Sequence, residues 1–109
     1  MADEIILRQC SEDDIESVLE LWRLAGSAQS LTDTCDDLRV TIDSAAASVI
    51  VAVAGGTIAG SIIAGFDGWR GNLYRLAVHP GYQRRGIARR LLAEAEQWLR
   101  GNGVKRVGA

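Results

Sequence analysis

The sequence predicts an α+β fold, and three observations carry the prediction. The elements read in the order β-α-α-β-β-β-α-β along 109 residues. Two short turn signals, Gly55-Gly56 and Asp67-Gly68-Trp69-Arg70-Gly71-Asn72, join three consecutive strand-like runs, which therefore fold back on one another as antiparallel neighbours. The apolar run Leu73-Tyr74-Arg75-Leu76-Ala77-Val78 passes through His79-Pro80-Gly81-Tyr82 and Gln83-Arg84-Arg85-Gly86 into a helix with Ile87, Leu91, Ala95 and Trp98 on one face.

Each element has its own signal. Ile5-Ile6-Leu7-Arg8 is short and apolar enough for a first strand. Ser11 is a good N-cap with Asp14 three residues on, and Ile15, Val18, Leu19 and Trp22 then mark one face of a helix that stops near Gly26. After a looser stretch from Ser27 to Thr34, Leu38, Ile42 and Ala45 predict a second helix. Val49–Ala54, Thr57–Phe66 and Leu73–Val78 are the next three strands. The last helix runs to about Arg100, where Gly101-Asn102-Gly103 stops it, and Val104 begins a fifth strand.

Composition narrows the function. A chain of this length makes one domain that buries about two-thirds of its unfolded surface. No apolar run reaches the roughly 18 residues of a membrane span, and Asp3 and Glu4 stand where a signal peptide would be basic. Cys10 and Cys35 have no metal-ligand spacing and suit free thiols in a reducing compartment, so the expected location is the cytoplasm and no metal is expected. Residues 1–50 hold eleven acids and three bases, and residues 51–109 three acids and nine bases. The basic half suits an anionic ligand; the acidic half either steers a cationic amine or decorates two solvent-facing helices. The pI of about 5.3 and the scarcity of aromatic residues near the arginines argue against a nucleic-acid face.

The chemistry concentrates at Gln83-Arg84-Arg85-Gly86-Ile87-Ala88. A strand turning into a helix leaves unpaired N–H groups at one spot, and the helix dipole favours an anion there. Gly86 and Ala88 let a phosphate approach the main chain closely, and Arg84, Arg85, Arg89 and Arg90 surround the turn with positive charge. The local chemistry is that of a diphosphate cradle; an ordinary helix start with solvated arginines is the simpler alternative.

Val78-His79-Pro80-Gly81-Tyr82-Gln83-Arg84-Arg85-Gly86-Ile87-Ala88 resembles the signature Val-x-Pro-x-x-Gln/Arg-x-x-Gly-x-Gly/Ala of the GNAT superfamily of acetyl-coenzyme A-dependent N-acyltransferases. The resemblance implies an αβα sandwich around a mixed, mostly antiparallel sheet, truncated here after the start of the fifth strand. It implies acetyl-CoA as co-substrate, with Leu76, Ala77 and Val78 binding the pantetheine arm through their main chain and polarising the thioester. Gln83, Arg84, Arg85, Gly86, Ile87, Ala88 and Arg89 are the implied diphosphate residues. Many relatives place a glutamate on the fourth strand as base. This strand has none, which leaves Asp67 as a weak candidate base, against a turn-forming role before Gly68. Tyr74 and His79 are expected to be packing and surface residues, and Leu76 and Val78 to pack in the core. Asp67-Gly68-Trp69-Arg70-Gly71 also resembles a turn found in a bacterial subgroup, where Trp69 and Arg70 would either line the acceptor cleft or decorate a hairpin with a packed Trp.

The family's general acid is a tyrosine on a helix after the fifth strand, a region this sequence does not reach. Low turnover is therefore expected, together with either self-association through the incomplete sheet edge or stability only as part of a longer polypeptide. The implied activity is N-acetylation of a primary amine of a small molecule or a protein. The alternatives are a non-catalytic acyl-CoA-binding module or an inactive fragment. A general nucleotide binder is poorly supported, since neither Gly-Lys-Ser/Thr nor a Rossmann glycine pattern is present.

Overall fold

A computed structural model describes residues 4–26, 35–105 and 107–108. The stretch from Ser27 to Thr34 lies outside them. Five strands form one sheet in the order β1-β2-β3-β4-β5: Ile5–Gln9, Ala47–Ala54, Thr57–Phe66, Gly71–Val78 and Val107–Gly108. The first four pair antiparallel, and β5 runs parallel to β4. Three α-helices pack on the sheet: α1 (Ile15–Leu24), α2 (Cys35–Asp43) and α3 (Ile87–Gly101).

The hairpin signals hold for a stereochemical reason. Gly55 and Gly56 both have positive φ, +55° and +84°, the pairing a two-residue hairpin turn needs to match strand twist. The loop from Asp67 to Arg70 is closed by the Asp67 carboxylate, which accepts from the N–H groups of Trp69 at 3.0 Å and Arg70 at 2.9 Å. Trp69 is not packed there but projects into solvent at 78% exposure.

The sheet has two apolar faces, which is why the strands read as continuous apolar runs. One face, with Val49, Val51, Ile58 and Ala77, meets Val18, Leu21, Trp22 and Leu38 of α1 and α2. The other, with Ile50, Ala52, Ala59, Ile62 and Ala64, meets Ile87, Leu91, Ala95 and Leu99 of α3. The result is the expected three-layer αβα sandwich. At the end of α3 it is Leu99, not Trp98, that is fully buried; Trp98 is half-buried against Phe66, with ring centroids 5.9 Å apart.

Two sequence boundaries shift. Ala45 is not an inward helix residue: α2 ends at Asp43, Ala45 is exposed, and β2 starts at Ala47 after a turn closed by Ala47 N–H to Ser44 C=O. Val104 does not begin β5, because it completes the helix cap. Gly103 is left-handed (φ +84°), its N–H reaches Arg100 C=O, and Val104 N–H reaches Leu99 C=O at 3.0 Å. Val104 thus packs beside Leu99, and the strand starts later.

At the start of α1, the Asp14 carboxylate accepts from both the N–H and the hydroxyl of Ser11 and is clamped by Arg8 at 2.6 and 3.0 Å. The Arg8 guanidinium, helped by Ser11, holds its pKa down at about 2 against burial. A depressed carboxylate contributes stability that is complete above its ordinary value of 3.8 and disappears as pH falls toward about 2. Asp14→Asn should therefore cost about 1–2 kcal/mol at neutral pH, and its penalty should vanish in acid-denaturation curves below about pH 2. Cys10 is buried, and burial pushes its thiol up to about 11, so it is unreactive at neutral pH.

Candidate acyl-coenzyme A site

The site is built by one strand and the helix that follows it. β4 pairs with β3 through Gly60↔Val78, Ser61↔Ala77 and Ile63↔Tyr74. One β3 residue, Ile62, thus opposes two on β4, Arg75 and Leu76, and the strand bulges there. Arg75 takes a left-handed conformation (φ +56°), unusual for a side-chain-bearing residue and characteristic of a bulge. On its outer side β4 meets β5 only at Gly71 and Asn72. From Leu73 to Val78 that edge has no strand partner among the described residues. His79 N–H bonds Ala59 C=O at 2.8 Å. Alternation along the ladder then turns Ala77 toward β3 and the main-chain groups of Val78 toward the open edge.

The open edge leads into the turn before α3. A short 3₁₀ helix, Pro80–Tyr82, is capped by His79, whose Nδ1 accepts from Gly81 N–H at 3.0 Å. His79 is thus a half-buried capping residue, with its ring edge-on to Tyr82. Arg84 and Gly86 then both have positive φ, +66° and +77°, and α3 begins at Ile87. The first N–H groups of that helix have no intrahelical acceptor. Val78, Tyr82, Gln83, Arg84, Gly86, Ile87, Ala88 and Arg89 line a concavity of about 420 Å³ at this point. A side-chain carbon built on Gly86 meets nothing within 4 Å. The turn therefore offers donors, positive charge and free space together, which is what a diphosphate requires.

The arginines divide. Arg84 and Arg89 border the concavity. Arg85 lies over the Tyr82 ring at 5.1 Å, and Arg90 reaches away to Ile5 C=O of β1 at 2.9 Å.

On the other face of the sheet, Trp22, Asp37, Leu38, Val40, Thr41, Ala47, Ile63, Gly65, Tyr74 and Arg75 enclose a second cavity of about 590 Å³. Tyr74 and Leu76 are 52% and 42% exposed, so neither is the packing residue expected; Val78 is half-buried against the α3 side. Trp22 and Asp37 escaped the sequence reading as cavity residues. Trp22 sits in a perfect apolar stripe, and Asp37 is one acid among many. Asp67 is exposed on its turn, where the N–H groups of Arg70 and Trp69 hold its carboxyl below the ordinary range. A general base works best with a pKa raised toward neutrality, so this geometry suits turn formation.

Among the described residues no cluster of three or more His, Cys, Asp or Glu side chains could hold a metal, and no helix is long and apolar enough to cross a membrane.

The chain matches the model of the acetyltransferase (GNAT) family over residues 15–109. An acetyltransferase of Yersinia pestis (strain Pestoides F) is 34% identical over 101 residues, covering 93% of this chain and 72% of the relative. One from Pectobacterium atrosepticum is 33% identical with the same coverage. Among solved structures, the PaiA N-acetyltransferase of Thermoplasma acidophilum, in complex with coenzyme A, superposes with a TM-score of 0.82 at 23% identity, covering 93% of this chain and 75% of that one. An aminoglycoside acetyltransferase from an uncultured soil metagenomic sample, in complex with sisomicin, superposes at 0.76 with 21% identity, covering 95% and 75%. By sequence match and by fold, the chain belongs to the GNAT family of acetyltransferases.

Proposed function

We propose that the chain binds acetyl-CoA along β4 and the N-terminus of α3 and transfers the acetyl group to a primary amine of a small molecule. The observation that carries the reading is the continuity between the open edge of β4 and the empty, donor-rich turn at Gly86. Gln83, Arg84, Gly86, Ile87, Ala88 and Arg89 would hold the diphosphate, chiefly through main-chain N–H groups. Arg85, stacked on Tyr82, supplies charge at the rim. Leu76, Ala77 and Val78 would present main-chain groups to the pantetheine arm and thioester. Acetyl-CoA supplies an activated acyl group; an N–H donor aimed at the thioester oxygen stabilises the charge that develops when an amine attacks.

The acceptor is assigned to the 590 Å³ cavity, which has the size of a small-molecule pocket and is walled by Trp22, Tyr74 and Arg75 beside the bulge. Asp37 gives that wall a carboxylate, which favours a cationic amine over a neutral alcohol. The aminoglycoside complex of a structural neighbour supports a small amine as acceptor.

The test combines binding and turnover. Calorimetry should show acetyl-CoA binding that weakens with salt, and a thiol-release assay across a panel of amines should find at least one acceptor. The Arg84→Ala/Arg85→Ala double variant should bind about three- to tenfold more weakly and with a flatter salt dependence. Binding without turnover on any amine would leave an acyl-CoA-binding module and overturn the transferase reading.

A further inference from the structure

The β4 bulge is held by a closed ring of contacts. Ser61 is fully buried on β3, and its hydroxyl is used in both directions. It accepts from Trp22 Nε1 at 2.9 Å and donates to Arg75 C=O at 3.2 Å. The Arg75 guanidinium returns to lie over the Trp22 ring at 5.1 Å. Arg75 is also the left-handed residue of the strand, a conformation unfavourable for a side-chain-bearing residue. Such a conformation persists only where its surroundings over-determine it. Here the carbonyl is fixed by Ser61, the guanidinium by Trp22, and Trp22 by Ser61.

We infer that Trp22 and Ser61 are positioning residues that hold the bulge at Arg75 and thereby decide which β4 N–H groups face the acyl-CoA edge. The inference rests on the acetyl-transfer reading of the site. Its physical core is register. Upstream of the bulge Tyr74 pairs with Ile63, and downstream Ala77 pairs with Ser61, so β4 carries one extra residue. Without it the strand slips by one, and the main-chain groups from Leu76 to Val78 change sides: those of Ala77 turn to the open edge, and those of Leu76 and Val78 turn to β3. The oxyanion donor would then point into the sheet. Placing the anchor on α1 also puts two members of the ring, Trp22 and Arg75, in the wall of the acceptor cavity. Donor geometry and acceptor wall are thus set by the same contacts.

Three variants test this in the full chain: Ser61→Ala, Trp22→Phe, which keeps a ring beneath Arg75 but removes the N–H, and Ser61→Thr, which keeps the hydroxyl. The readouts are amide hydrogen exchange, coenzyme A affinity by calorimetry, and acetyl-transfer kinetics. Ser61→Ala and Trp22→Phe should speed exchange at Ala77 and His79 about tenfold or more while the β1–β2 amides keep their protection. Coenzyme A affinity should weaken without being lost, because the pantetheine contacts at Leu76 to Val78 move while the turn at Gly86 is untouched. The kcat should fall about tenfold or more, and Ser61→Thr should restore both exchange and kcat. Unchanged exchange at Ala77 and His79 would overturn the inference. So would acceleration spread evenly over all strands, the mark of general destabilisation. If Ser61→Ala does not fold, Trp22→Phe carries the test. If the native chain acetylates no amine, the proposed function fails, while the exchange data still decide whether this ring sets the register.

Discussion

Gly86→Glu is expected to abolish coenzyme A binding while leaving the fold standing. The structure separates the two effects. A Cβ at this position meets no heavy atom within 4 Å, so a side chain starts out into open space. The left-handed backbone (φ +77°) costs a non-glycine residue about 1–2 kcal/mol, which a domain of this size tolerates. The free space is where a diphosphate would lie against the N–H groups of α3. A carboxylate there would take those donors itself and repel the phosphates. The affinity loss should be at least about a hundredfold, some 2.7 kcal/mol, by calorimetry, with Gly86→Ala showing a smaller loss. Circular dichroism should show the native helix content in both variants. A Gly86→Glu chain that binds coenzyme A as tightly as the native one would place the diphosphate elsewhere.

Gly60→Val is expected to give the largest loss of stability from a single added side chain. Gly60 lies on β3 beneath the first turns of α3. A Cβ there would come within 2.8 Å of Ile87 Cγ2, 3.0 Å of Leu91 Cδ1 and 3.2 Å of the Ala77 carbonyl oxygen. The side-chain carbons could give way a little, but the carbonyl belongs to β4 and cannot rotate. Overpacking of this kind costs about 1–3 kcal/mol, and the rigid partner puts Gly60→Val toward the upper end. The expected fall in Tm is about 10–20 °C. Coenzyme A affinity should fall as well, because relief requires lifting the N-terminus of α3 off the strand that shares the site. Gly101→Ala is the control. That glycine closes α3 with open space around it and no positive φ, so alanine should be neutral or stabilise by up to about 1 kcal/mol. An unchanged Tm for Gly60→Val would mean that α3 does not sit as close to β3 as the sandwich requires.

The sequence by itself determined the layers and the position of the strand–turn–helix unit at Gly86. Local chemistry carries both: glycine pairs force left-handed turns at fixed points, apolar periodicity of two or four assigns faces, and Gly86 ahead of an amphipathic helix creates donors wherever it folds. Gly55-Gly56, Ser11 with Asp14, and Val78 through Ala88 needed no knowledge of the rest of the chain. Boundaries were less legible where a residue answers to a cap rather than to its propensity, as Val104 does when it closes α3 instead of opening β5. Tertiary structure alone decided where the arginines go, since four of them between positions 84 and 90 end at the concavity before α3, on a tyrosine ring and on the first strand. It alone produced the bulge at Arg75. That feature depends on a hydroxyl 14 residues upstream meeting an indole 39 residues before it, and no local pattern encodes a contact between three elements that only the folded sheet brings together.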